Sequence, residues 1–252
     1  MLENLSEREK QILTLLVDEQ GISVSEMGVR LGVSAVTVRT GLNALAEKGV
    51  IVRTRGGATP AFHAEILERQ RARTTAKARI AQAAAGLVSD GDTVMIEAGS
   101  TTAMVGRYLF GKQDVHVVTN NMLFLPYGRS NPALQVTVVG GRFQPGTEST
   151  VGPIALRELS ALHVDLAFVG TDGFSVANGT TTHHVEGAEI VRTMSARARR
   201  TVLLADSSKY GRVGFTHVLG LEEVSLIITD SEITPDAREE ISSRGIEIQV
   251  VE

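Results

Sequence analysis

The chain contains no cysteine and no tryptophan, and its aromatic residues are limited to seven phenylalanines and three tyrosines. Without cysteine there can be no disulfide scaffold, thiolate metal site or thiol nucleophile, and the cytoplasm is the expected address. Aromatics at 4% argue against a single-stranded nucleic-acid surface built on stacked bases. No segment approaches the ~18 uninterrupted apolar residues of a membrane helix. Met1-Leu2-Glu3-Asn4 is neither basic nor followed by an apolar run, so no signal peptide is expected. At 42% hydrophobic and 21% charged, the 252 residues are too apolar for disorder and long enough for one large domain or two ordinary ones. The 25 glycines point to many tight turns or ligand loops.

The net charge of −4 conceals an asymmetry. Residues 30–55 carry five basic side chains against one acidic, and residues 61–80 five against two. Residues 81–252 reverse the balance, with 13 basic against 20 acidic. A basic N-terminal quarter on an acidic body is the pattern of a chain that meets a polyanion at one end.

Ser6-Glu7-Arg8-Glu9 forms a capping box with Leu5 as staple, and Ile12, Leu13 and Leu16 continue at helical spacing towards Glu19-Gln20-Gly21. Ser23-Val24-Ser25-Glu26 opens a second, short helix, and Gly32-Val33 makes a tight turn. Ser34 then caps a third helix, with Val38, Leu42 and Leu45 on its inner stripe and Lys48-Gly49 at its end. A short helix, a three-to-four-residue turn and a further helix is the spacing of a helix-turn-helix DNA reader. The outward positions are Ala35, Val36, Thr37, Arg39, Thr40 and Asn43. Arg39 suits a guanine edge or a phosphate, while Ser34, Thr37 and Thr40 suit phosphates and small apolar contacts. Residues 50–55 alternate like a strand, and Gly56-Gly57 reads as the hairpin turn of a basic wing carrying Arg53 and Arg55. A small helical bundle serving dimerisation is the rival reading of residues 1–59. Residues 60–76 read as a linker, partly helical, whose arginines either follow DNA or keep an exposed helix soluble.

From residue 77 onward, helical segments alternate with short β-branched runs. Strands are predicted at 93–97, 115–118, 136–139, 164–169, 201–205, 226–229 and 246–251. Helices are predicted at 77–88, 103–110, 153–159 and 186–199, with another begun by Thr234-Pro235. This predicts a Rossmann-like, mostly parallel α/β domain over 77–252, covered on both faces. Ligands of such sheets sit beyond the carboxyl ends of the strands, and the polar glycine-rich loops fall there. Gly99, Ser100, Thr101 and Thr102 follow the first strand and resemble a phosphate cradle. Asn120 follows the second strand, Arg142 the third, Asp172 and Gly173 the fourth with Thr181 shortly after, and Lys209 the fifth. Amides, hydroxyls, Asn, Asp, Arg and Lys without aromatic lining suit a phosphorylated polyol. No nucleotide fingerprint, catalytic triad or metal-ligand spacing is present; the adjacent His183-His184 face opposite ways on an extended segment. Neither a metal nor a cofactor is expected.

Ser34-x-x-Thr37-Val38-Arg39, the Arg53-x-x-Gly56-Gly57-Ala58 wing, Asp206-Ser207-Ser208-Lys209 and Ile228-Thr229-Asp230 resemble the DeoR family of bacterial sugar-metabolism repressors, over about residues 5–250. The resemblance implies a winged helix-turn-helix that binds double-stranded operator DNA. It also implies a sensor domain similar to ribose-5-phosphate isomerase that binds a phosphorylated sugar, and a homo-oligomer of at least two chains. Two departures stand out. Where the family has a second arginine and an aspartate after Arg39, this chain has Thr40 and Gly41. The family's Asp-x-Gly-Thr-Thr loop becomes Glu97-Ala98-Gly99-Ser100-Thr101. The rival function is a sugar-phosphate isomerase. Such enzymes carry Asp-Gly-x-Asp-Glu, whereas Asp172-Gly173-Phe174-Ser175-Val176 lacks the last two acids. A sensor without catalytic residues is therefore expected.

Overall fold

The structure, a computed structural model, describes residues 5–19 and 21–252, so the expected features at residues 1–4 and at Gln20 lie outside the described residues. The chain divides into two compact units, Met1–Ala72 and Arg73–Glu252.

The first unit contains α1 (Glu7–Asp18), α2 (Val24–Leu31) and α3 (Ala35–Glu47), then a hairpin of β1 (Ile51–Thr54) and β2 (Gly57–Pro60), and α4 (Ala64–Arg71). Both expected capping boxes form. The Ser6 hydroxyl accepts the Glu9 N–H while the Glu9 carboxylate accepts the Ser6 N–H, and Ser23 and Glu26 repeat the exchange. Ile12, Leu13, Met27, Val38, Leu42 and Leu45 are all fully buried in one core. Lys48, at the end of α3, bonds Glu9 of α1 at 2.6 Å and holds that carboxyl below its usual range, a pull reinforced by Ser6. Gly41 costs helix propensity, and the packing gives the reason: a Cβ there would lie 2.4 Å from Ile12 Cδ1. The hairpin turn is Arg55-Gly56, not Gly56-Gly57, because Gly57 pairs with Thr54 in β2 and Gly56 alone takes positive φ, 88°. The segment 60–76 is also not one linker. Ile66 and Leu67 of α4 are buried, with Leu67 part of the first unit's core, while Arg73 opens the second unit.

The second unit begins with α5 (Thr74–Gly86), three residues earlier than predicted, and β3 (Thr93–Ile96). There follow α6 (Ser100–Met104), β4 (His116–Thr119), α7 (Leu125–Ser130), β5 (Gln135–Val138) and the hairpin β6 (Arg142–Gln144) and β7 (Ser149–Val151). Next come α8 (Pro153–Ser160), β8 (Val164–Val169), β9 (Gly173–Ser175), β10 (Gly179–Thr182), α9 (Val185–Arg197) and β11 (Ala198–Leu204). The chain closes with β12 (Thr216–Leu219), β13 (Leu226–Asp230), α10 (Pro235–Ser243) and β14 (Ile248–Val251). Seven strands form one parallel sheet in the order β14-β13-β11-β8-β3-β4-β5. Alternate strand residues feed two cores. Val94, Ile96, Phe168, Leu204 and Ile228 pack with α5 on one face. Met95, Ala167, Val169, Leu203 and Ile227 pack with residues of α8, α9 and α10 on the other.

The sequence did not announce the antiparallel sheet β12-β10-β9 or the β6–β7 hairpin. These strands are only three or four residues long, too short to show an apolar alternation. The predicted helix 103–110 is instead α6 followed by a 3-10 turn at Val105–Tyr108. Here Gly106 lets Phe124 and Tyr127 approach to within 2.7 Å of where a Cβ would stand.

Candidate functional site

In the first unit, the turn between α2 and α3 depends on close backbone approach. Gly32 takes φ 63°, Val33 N–H donates to the Gly28 carbonyl at 2.9 Å, and a Cβ on Gly28 would stand 2.8 Å from the Val33 oxygen. Ser34 caps α3: its hydroxyl accepts the Thr37 N–H at 3.1 Å and pairs with the Thr37 hydroxyl at 2.9 Å. The Thr40 hydroxyl donates back to the Val36 carbonyl at 3.1 Å. Arg39 and Asn43 are exposed and bond nothing among the described residues. Ala35 departs from the expected outward position; it is half-buried against the unit's core, in line with Val38 and Leu42. The exposed stripe is therefore Val36, Arg39, Thr40 and Asn43, at i, i+3, i+4 and i+7. Arg53 and Arg55 are exposed on the wing, whose turn is tied to α2 by Val24 N–H donating to the Gly56 carbonyl.

In the second unit, the chain runs outward from β3 through β4 and β5, then returns to β8 on the other side of β3 and continues to β14. The crevice of such a sheet lies beyond the ends of the two strands flanking this reversal, β3 and β8. Glu97, immediately after β3 and nearly buried, accepts the Gly170 N–H at 3.0 Å and so ties the two loops together. Asn121 Nδ2 donates to the carbonyls of Glu97 and Gly99, each at 3.0 Å, and the Thr102 hydroxyl donates to the same pair at 2.7 and 3.0 Å. Gly99, Ser100 and Thr101 thus stand on a loop fixed from below. The amides that open α6 have no intrahelical acceptors of their own. The Thr102 hydroxyl is spent on the loop itself.

Across the crevice, the Asp172 carboxylate accepts the Thr182 hydroxyl at 2.9 Å and the His183 N–H at 3.0 Å. Gly173 allows the loop after β11 to pass, since a Cβ there would stand 2.2 Å from the Arg212 oxygen. Thr181 is buried; its hydroxyl donates to the Gly173 carbonyl and accepts the Gly214 N–H, so it pins the β-hairpin. Lys209 ends the 3-10 turn Ser207–Lys209, which two buried aspartates organise. Asp206 accepts the N–H and hydroxyl of Ser208, and Asp230 accepts those of Ser207. Arg73 bridges them, 3.1 Å from Asp206 and 3.0 Å from Asp230. Burial opposes ionisation of Asp230, yet Ser207, the Glu232 N–H and Arg73 outweigh it and keep the carboxyl below its usual range.

The geometry thus brings together the loops bearing Gly99, Ser100, Thr101, Asp172, Gly173 and Lys209. Asn120 is buried; its Nδ2 donates to the Thr150 carbonyl at 3.0 Å, and its Oδ1 has no partner among the described residues. Arg142 is exposed on β6 and paired with Glu186 of α9. Asn121 and Arg73 were not among the expected site residues, and Glu97 was expected only as a departure in the loop after the first strand. An acid ending a buried strand was the signal for Glu97, but nothing local marks Asn121 or Arg73, whose roles come from distant segments. At the positions of the two missing isomerase acids, the Ser175 hydroxyl accepts the Asn178 N–H, and Val176 packs against the core.

The DeoR-like helix-turn-helix domain matches residues 8–61, and the DeoR C terminal sensor domain matches residues 72–231. The chain belongs to the DeoR family. It is 33% identical over 247 residues to the HTH-type transcriptional regulator GlpR of Haloferax volcanii, covering 96% of each chain. It is 29% identical over 252 residues to a putative aga operon transcriptional repressor of Escherichia coli O157:H7, covering 98% of this chain and 94% of that one. The ribose 5-phosphate isomerase of Methanocaldococcus jannaschii is similar over 53% of each chain, at 19% identity and a TM-score of 0.39. This DeoR-family member is a DNA-binding transcriptional regulator, with an N-terminal helix-turn-helix and a parallel α/β sensor domain. No helix among the described residues is long and apolar enough to cross a membrane.

Proposed function

We propose that this regulator represses a carbohydrate-utilisation operon and that a phosphorylated sugar, bound at the carboxyl ends of β3, β8 and β11, alters its grip on operator DNA. The observation that carries the reading is the tie between Glu97 and the Gly170 N–H. It sets a loop of small residues and hydroxyls opposite Asp172 at the reversal of strand order. Amides of residues 99–102 and the Lys209 ammonium supply the positive field that a phosphate needs. Asp172 supplies acceptor oxygens for sugar hydroxyls, while Asn120 Oδ1 is a further acceptor from the loop after β4. Ser175 and Val176 stand where an isomerase carries its last two acids, and the Glu97 carboxylate is engaged by the Gly170 N–H, so we read the site as one for binding and not for turnover. On the DNA side, Arg39 and Asn43 read base edges and Arg53 and Arg55 hold phosphates. Two copies of α3 spaced by a turn of DNA require at least a dimer.

A thermal-shift panel of sugar phosphates and their free sugars tests the pocket. A true effector at 100 times its Kd adds ~2.7 kcal/mol, and its dephosphorylated form adds none. Equal shifts from both forms would refute the phosphate cradle.

A further inference from the structure

We infer that Val36 is a specificity-determining residue that reads the 5-methyl group of a thymine in the operator. The inference rests on α3 being the reading helix and adds one base-contacting side chain to it.

The side chain is 68% exposed in the first turn of α3. Nothing in the fold rewards a valine there. It joins no core cluster, and a β-branched residue is a poorer helix former than alanine. The polar groups around it are already committed: Ser34 and Thr37 bond one another in the cap, and Thr40 returns its hydroxyl to the Val36 carbonyl itself. Val36 stands one turn before Arg39 and Thr40 on the exposed stripe that continues to Asn43. The leading end of a reading helix is the part that reaches base edges. In the major groove, the only apolar group on any base is the C5-methyl of thymine. The chemistry that recognises Val36 is therefore a thymine methyl, next to the base pair that Arg39 reads. With the Thr40 hydroxyl committed to the Val36 carbonyl, the stripe keeps Arg39 and Asn43 as polar readers and Val36 as its apolar one.

The test starts from the full-length chain and a library of random duplexes. Wild type, Val36→Ala, Arg39→Ala and Val29→Ala are each used to select preferred sequences; Val29 is a comparably exposed valine on α2, 83% exposed, and serves as the control. Alanine in α3 favours the helix, so Val36→Ala stays folded. Wild type and Val29→Ala should select the same motif, containing a thymine that Val36→Ala no longer requires. Replacing that thymine by deoxyuridine, which removes only the methyl, should weaken wild-type binding about fourfold, the worth of one buried methyl, and should leave Val36→Ala unaffected. An unchanged motif for Val36→Ala, or an equal uracil penalty in both proteins, would overturn the inference. If Arg39→Ala also left the motif unchanged, the error would lie in the choice of reading helix and not in Val36.

Discussion

Arg73 offers a sharp test of how the loop after β11 is held. Its guanidinium lies within 3.1 Å of Asp206 and 3.0 Å of Asp230, both about 95% buried, and it donates to the Ser207 hydroxyl as well. Arg73→Ala would leave two buried carboxylates facing each other's loop without their cation. Removing one partner of a fully buried pair costs about 3–5 kcal/mol. The Arg73 side chain is 27% exposed, so solvent screens part of this, and about 2–3 kcal/mol is expected. For a unit of this size, that lowers Tm by roughly 5–10 °C. With no tryptophan in the chain, far-ultraviolet circular dichroism is the natural probe, and the second unit's transition is the one that should move. Arg73 also adopts φ 51°, a region that favours glycine. Arg73→Gly should therefore melt higher than Arg73→Ala by about 1 kcal/mol. The pH dependence has a definite sign. The Asp230 pKa is lower folded than unfolded, so its contribution is present above the unfolded value and is lost as pH falls through the folded one. The gap between wild type and Arg73→Ala should thus be full at pH 7 and shrink below about pH 4. A variant melting with wild type at pH 7, or a gap constant down to pH 3, would refute the argument.

Other outcomes follow from the first unit. Gly28→Ala should cost about 1–3 kcal/mol through overpacking against the Val33 carbonyl, seen as faster amide exchange across α2 and α3 with the parallel sheet unchanged. Arg39→Ala should weaken the preferred DNA site by about 1–3 kcal/mol while sparing random duplex. Arg53→Ala and Arg55→Ala should weaken both alike and flatten the salt dependence, as measured by fluorescence anisotropy at several ionic strengths.

The sequence was most legible where structure is local. Ser6 with Glu9, and Ser23 with Glu26, needed only four-residue windows to announce their helix starts. The central parallel strands were legible as short β-branched runs because both faces are largely buried, whereas the edge strand β5 is mostly exposed. Legibility failed where a segment depends on distant partners. Among its described residues α4 has two buried apolar ones, Ile66 and Leu67, too few to distinguish it from a linker. β9 and β10 are held by Thr171 and Thr181 bonding across the hairpin rather than by apolar alternation. The same limit applied to the candidate crevice. Its loops were visible as glycine-rich stretches at strand ends. Which hydroxyls remain for a ligand was not, because Thr102 and Thr181 are consumed by carbonyls and amides that only the fold brings near. The partner of Arg142 was equally illegible, because Glu186, 44 residues later, takes the guanidinium.

The central claim is that one chain couples a sugar phosphate to DNA, and the direct measurement is fluorescence anisotropy of the full-length chain on its selected duplex. Sugar phosphates and the matching free sugars are titrated into wild type and Asp172→Ala. At least one phosphorylated sugar should shift wild-type DNA affinity, its dephosphorylated form should not, and Asp172→Ala should bind the duplex normally while ignoring both. A shift of equal size in Asp172→Ala, or an equal response to the free sugar, would contradict the account.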